Sequence, residues 1–455
     1  MSGFSRIDIE HDKRFSNSIS LDLAPLTILC GVNGSGKSTI MNSLLTLKQC
    51  YEDSSVANFM KLNGPLVKNG SYWDTINSRG RGPRLGVAYD LAGDIDCKFS
   101  VYGILARLYN TEKMIHIELE NTIEHYGTKA NNNTLVDQTI KISFGDTVST
   151  IQFKKVTRDG GQLYDILLTN FPHNGKLANV TMQNAQCHFE NFVFAGGYSD
   201  EHLSVNEAEV FSNLASICRC VISVFKGVKC VRPSIEYLQR RYLVDNLEQG
   251  SLPQLLKSYD GKKLCFVDAP IDGKLNFNSY KRIFNNVVDS WLTYLDIGTY
   301  WMEQSDNTLR FSINGRDLAD VGLGVNQVLS ILANSITQPL GGCLLLEQPE
   351  MFLHPKFQLN MADFLVCSAM SGRNMIVETH SDHVINRVVR RVMEDQRVAQ
   401  NVKIYFIENG TIEEINIDPC KGTDTDKEDF FTQFETETMA IVKIGMNNWR
   451  SSQGK

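Results

Sequence analysis

Gly31-Val32-Asn33-Gly34-Ser35-Gly36-Lys37-Ser38-Thr39 combines glycines, one cation and hydroxyls in the order that wraps a phosphate chain. Gly31, Gly36, Lys37 and Ser38 satisfy G-x-x-x-x-G-K-[ST], between an apolar run, Leu26 to Cys30, and a helix-like stretch, Ile40 to Leu45. In that strand, loop and helix context, successive backbone N–H groups and the positive end of a helix face a triphosphate. Lys37 then reaches the β- and γ-phosphates and the Ser38 hydroxyl meets Mg²⁺, while Asn33, Gly34, Ser35, Gly36 and Thr39 complete the cradle. ATP or GTP with Mg²⁺ is the expected ligand.

The distal half carries three more pieces. Gly341-Gly342-Cys343-Leu344-Leu345-Leu346-Glu347-Gln348-Pro349-Glu350 is an apolar strand ending in acids, where P-loop enzymes keep the carboxylate that serves Mg²⁺. Before it, Asp320-Val321-Gly322-Leu323-Gly324-Val325-Asn326-Gln327 leads into a helix expected over 325–336, a second place where glycine backbone faces an anion. After it, a strand over 374–378 ends at Thr379-His380-Ser381-Asp382-His383, which sets His380 within reach of a γ-phosphate.

These pieces, in this order, resemble the ATP-binding-cassette class of head domains found in SMC, Rad50 and RecF proteins, over residues 1–55 and 310–418. Leu346-Glu347-Gln348-Pro349-Glu350-Met351-Phe352-Leu353-His354-Pro355 with Glu378-Thr379-His380-Ser381-Asp382-His383 looks more narrowly like the RecF/OLD-type ATPases of bacterial defence systems, relatives of PARIS AriA and Septu PtuA. The resemblance implies a two-lobed α/β P-loop NTPase fold of the ABC/RecF head type, with an antiparallel β meander and a helical insertion. It implies ATP on Gly31 to Thr39, Mg²⁺ on Ser38 and Glu347, and Gly322, Gly324 and Gln327 on the γ-phosphate held by a second subunit. His380 is then the switch histidine, and Leu353-His354-Pro355 the loop between the two sites of a head-to-head dimer or larger assembly.

One position departs from that pattern. Where the family usually carries a Glu that orients the attacking water, this chain has Gln348, and an amide cannot take a proton as a carboxylate does. Either Glu350 substitutes, or it only caps the next turn and hydrolysis is slow. The functional expectation is an ATPase acting as a nucleotide-controlled sensor or scaffold for a separate toxin or nuclease in anti-phage defence. The alternatives are a RecF-like repair ATPase that binds DNA directly and a clamped scaffold without turnover.

The elements that must position these residues follow from periodicity. Residues 4–10 and 18–23 alternate as strands ahead of the P-loop strand, and alternation recurs over 85–90, 94–102, 114–123, 138–144, 148–155 and 163–169, an antiparallel meander. Helical spacing over 207–225 and 279–295 points to an insertion. The expected division is 1–170 for the first ATPase lobe, 171–298 for the insertion, 299–418 for the second lobe and 419–455 for a tail. Val402 to Ile407 and Thr411 to Ile417 around Asn409-Gly410 read as a hairpin.

The chain has 455 residues, 42% hydrophobic and 21% charged, enough for a full core. A net charge of −7 gives no global pull toward nucleic acid, and neither a run approaching 18 apolar residues nor a leader-like start is seen, so a cytoplasmic protein is expected. Eleven cysteines without a C-x-x-C pair fit reduced core thiols, Cys218 and Cys220 included. His380 and His383 lack companion ligands for a metal. The basic segment Ser78 to Arg84 and the acids Asp424, Asp426, Glu428 and Asp429 read as solvated. So does an arginine face of Arg387, Arg390 and Arg391 opposite Val384, Ile385, Val388, Val389 and Val392. Fewer than 40 residues follow Asp418, too few for the Toprim nuclease of OLD-type relatives, so any effector is expected on another polypeptide.

Overall fold

The computed structural model describes residues 3–53, 58–75, 83–91, 101–125, 133–156, 162–198, 207–233, 238–418 and 422–423. Residues 78–82 of the basic segment, 94–100 of one expected strand and the acids from Asp424 to Asp429 lie outside them.

The P-loop strand, Leu26–Gly31, is apolar on both faces because it is central in a six-stranded sheet. Across that sheet run Val228–Val231, Cys343–Glu347, Asn374–Glu378, Leu26–Gly31 and Val402–Glu408, all parallel, then Thr411–Glu414 antiparallel at the edge. Alternate residues serve different cores, as a period of two requires. Leu29, Leu345, Ile376 and Ile407 face one cluster, beneath the helix Lys37–Glu52, whereas Ile28, Leu344, Leu346 and Val377 face another. The second cluster is closed by the helices Phe284–Tyr294, Leu323–Ile336, Pro355–Met370 and Asp382–Glu394.

The meander is a nine-stranded antiparallel sheet, longer than expected. Beyond Leu163–His173 it continues through Lys176–Glu190 and Val193–Tyr198, so the expected boundary at 170 falls inside a strand. Register shifts between Tyr164 and Ile166 and between Leu168 and Phe171 interrupt the alternation there, and Asn170 and Asn184 take left-handed backbone. Residues 101–108, partly assigned to a strand, form the helix Val101–Leu108; Leu105 and Tyr109, four apart, are buried together. The stretch expected as a helical insertion is mixed. Val228–Val231 completes the core sheet, and Ser279–Ile283 pairs with Lys263–Val267 before the helix Phe284–Tyr294 begins.

Among the described residues, Ala208–Gly227 is long and apolar enough to cross a membrane; half of its most apolar window is buried, and its helix packs on the nine-stranded sheet. The arginine face is corrected in part. Arg391 is 2% exposed and donates to Asp363 Oδ1 at 2.7 Å, because Asp363 projects from the neighbouring helix; only Arg390 sits in solvent, paired with Glu394.

Candidate nucleotide site

The parallel strands deliver their C-terminal ends to one rim, where loops and ligands gather in open α/β sheets. Gly31 has φ 134° and lies against the Ile407 carbonyl, so a side chain there has no room. Gly36, φ 121°, caps the helix Lys37–Glu52, and a Cβ on it would stand 2.7 Å from the Phe15 ring. The loop between them therefore turns onto the helix N-terminus with bare backbone inward.

Lys37 is folded onto that loop, its Nζ donating to the Gly31 carbonyl at 3.0 Å and the Val32 carbonyl at 2.8 Å. Burial lowers its pKa from the ordinary lysine value. Ser35 Oγ is buried without a partner. Ser38 Oγ donates to Glu378 Oε1 at 3.0 Å.

A cleft of about 540 Å³ opens here, lined by Asn33 to Thr39 with Lys13, Arg14, Asp74, Gln348, Glu378 and His380. This is a P-loop cleft. Gln348 has left-handed backbone, φ 46°, and its N–H donates to the Glu378 carbonyl at 2.8 Å, which fixes it at the rim. The His380 ring is held below the ordinary imidazole pKa by burial and then by Lys37, so it is neutral at pH 7. The backbone N–H of His380 donates to Glu350 Oε1 at 2.8 Å. Glu350 thus braces the Thr379-His380 segment, half-buried, and desolvation pushes its carboxyl above the ordinary range.

Glu347 stands apart from the cleft lining. Its Oε1 accepts from Arg232 Nε at 2.7 Å, and the same guanidinium donates to the Leu66 carbonyl at 2.8 Å and to Asn42 Oδ1 at 3.1 Å. The acid on Ser38 is Glu378, the register partner of Glu347 on the next strand, 5% exposed, with Oε2 buried and unpartnered. Hard oxygen donors of this kind suit Mg²⁺, which takes few protein ligands alongside a nucleotide's phosphates. Among the described residues no group of three or more His, Cys, Asp and Glu could hold a metal, His380 and His383 included.

Gly322, Gly324 and Gln327 do not line the P-loop cleft of their own chain. Gly322 caps the helix Leu323–Ile336 with open space around its Cα, while a Cβ on Gly324 would lie 2.6 Å from the Phe352 carbonyl oxygen. Gln327 is buried, its amide nitrogen unpartnered. His354 caps the helix Pro355–Met370, accepting from Lys356 N–H, and Phe352 before it is exposed with φ 65°.

Lys13, Arg14, Asp74, Glu378 and Arg232 were not among the expected site residues. Only Glu378 carried a local signal, an acid closing an apolar strand one residue before Thr379-His380.

No family model matches the chain, and no curated protein does. Among solved structures it is similar to the SMC head domain from Thermotoga maritima, at 11% identity and TM-score 0.37, over 91% of this chain and 99% of that one. It is similar too to a Smc head domain with an extended coiled coil bound to the C-terminal domain of ScpA, derived from Pyrococcus furiosus, at 10% identity and TM-score 0.39, over 91% and 96%. A third is SmcHead bound to the C-winged helix domain of ScpA, at 12% and 0.36, over 91% and 97%.

Proposed function

We propose that the chain is an ABC-class protein that binds and slowly hydrolyses ATP at the cleft of Lys37. The observation that carries this is the Gly31–Thr39 loop, turned onto a helix N-terminus, with Ser38 on a buried carboxylate and Gln348 and His380 at the same mouth. The loop N–H groups and Lys37 bind and orient the phosphates, the neutral His380 offers a hydrogen bond to the terminal one, and Glu350 holds His380 in place. Mg²⁺, when bound, would neutralise phosphate charge; Ser38 and a strand-end acid beside it would hold it. Replacing Lys37 with Ala should remove ATP binding and leave the circular dichroism spectrum unchanged. Unchanged ATP affinity would refute the site.

Gly322, Gly324 and Gln327 lie outside their own chain's cleft, which supports a head-to-head dimer in which they serve the other subunit's nucleotide. On the resemblance to RecF/OLD-type defence ATPases, the nucleotide state of that assembly controls a separate toxin or nuclease. The defence reading is tested by co-expression: the effector should co-purify in the ATP-bound state and be released by Lys37→Ala. An effector held equally by both forms would sink it.

A further inference from the structure

The acid that the motif assigns to the cation is not the acid on the P-loop hydroxyl. A serine hydroxyl presents a lone pair to a cation when its own hydrogen has an acceptor, and here that acceptor is Glu378 Oε1, at 3.0 Å. The other oxygen of Glu378 is buried and has no partner, although the side chain lines the cleft and is 5% exposed. An unsatisfied carboxylate oxygen in such a place is expensive, and it points at a ligand that arrives from the cleft.

Glu347 is differently placed. Its register partner is Glu378, so the two acids end neighbouring parallel strands side by side. Yet Glu347 Oε1 is gripped by Arg232 Nε at 2.7 Å, and Arg232 is anchored on the Leu66 carbonyl and on Asn42 of the P-loop helix. Moving Glu347 to the cation breaks a charge-assisted bond and unseats a three-point anchor. Glu378 need not move, because it is already on Ser38.

We propose that Glu378, and not Glu347, is the positioning carboxylate that couples Ser38 to the divalent cation of the bound nucleotide, with Arg232 holding Glu347 aside. This rests on the P-loop reading above. It makes the end of the switch strand, one residue before Thr379-His380, part of the cation site. A cation arriving at Glu378 thereby acts on the same short segment that presents His380 to the cleft.

The test is the affinity of a fluorescent ATP analogue in excess Mg²⁺ and in EDTA, with thermal melts of each protein. Wild type should bind more tightly with Mg²⁺. Both Glu378→Gln and Ser38→Ala should lower the Mg²⁺-dependent gain by at least about tenfold, as loss of a group that orients a metal ligand does, while EDTA affinities stay near wild type. Combined, the two changes should be no worse than one, since they act through one contact. The Glu347→Gln variant should keep the gain. The proposal is overturned if Glu347→Gln abolishes the gain while Glu378→Gln keeps it, or if Ser38→Ala, a small change at the exposed start of its helix, leaves it intact. Binding in EDTA that Lys37→Ala does not weaken is a different failure, of the P-loop reading itself.

Discussion

Replacing Gln348 with Glu restores a carboxylate at the water-facing position, and the geometry limits how much it can gain. The backbone there is fixed by its left-handed φ of 46° and by the N–H bond to the Glu378 carbonyl, so the change swaps an amide for an acid without moving the chain. General-base assistance is worth roughly 10² to 10⁴ in rate, about 3 to 5 kcal/mol of barrier. Against this, Glu378 and Glu350 are both carboxyls raised by burial, and Glu347 and Glu350 already repel Glu378. Two like charges ~6 Å apart at an effective dielectric of ~20 repel by about 3 kcal/mol, comparable with the gain. A net acceleration of about tenfold is therefore expected, below the roughly 10² to 10⁴ of unopposed general-base assistance. Wild-type turnover should fall near or below ~1 s⁻¹, the lower edge of ordinary enzymes. Single-turnover hydrolysis with saturating Mg²⁺-ATP measures both. Glu350→Gln should change the rate little, because the amide oxygen can still accept from His380 N–H. If Glu350→Gln abolishes hydrolysis and Gln348→Glu does nothing, Glu350 is the base. Fast wild-type turnover insensitive to both would refute the reasoning about this site.

Gly322→Arg and Gly324→Arg should part company: Gly322 has open space, so the first should reduce ATP-dependent association by light scattering at an unchanged melting temperature. The second also strikes the Phe352 carbonyl and should lower both. Asp12 is 7% exposed, and burial pushes its carboxyl up to about 7. Its contribution is full below the unfolded carboxyl's pKa and lost as pH rises through 7. Melting temperature should thus climb from pH 8 to pH 5, and Asp12→Asn should flatten that rise, worth up to about 3 kcal/mol over this window. Asp363→Leu should destabilise by about 3–5 kcal/mol in urea unfolding, leaving Arg391 buried without its main partner. Arg391→Met should cost less, since Asp363 keeps Tyr294 and Arg387.

What could be read from the residues was what phosphate chemistry forces to be contiguous. Gly31 to Thr39 must be consecutive to make one loop, and the strands ending at Glu347 and Glu378 are apolar runs that end sharply. Pairings across the sheet were not legible in that way. The sequence names Glu347 as the acid and is silent on Arg232, which reaches it only because Val228–Val231 lies beside Cys343–Glu347. Gln348 is a visible departure in the sequence, but its crowding by Glu378 is a tertiary fact. Bulges hid Lys176–Glu190, which fell inside the stretch 171–298 expected as a helical insertion. Arg391 sat on the polar side of its helix by periodicity, and only the position of Asp363 brought it inside.

The neighbours of the P-loop strand also set a timetable for synthesis. Leu26–Gly31 lies between Asn374–Glu378 and Val402–Glu408, so neither parallel neighbour has been translated when the loop leaves the ribosome. At 5–20 residues per second the loop waits on the order of 20–70 s for the first of them. Most of the nine-stranded sheet joins strands adjacent in sequence, and that half can assemble during the wait. The nucleotide cradle is closed last, so a stalled or truncated nascent chain holds a folded sheet and an unfinished switch, and cannot lock onto ATP before the chain that reads it exists.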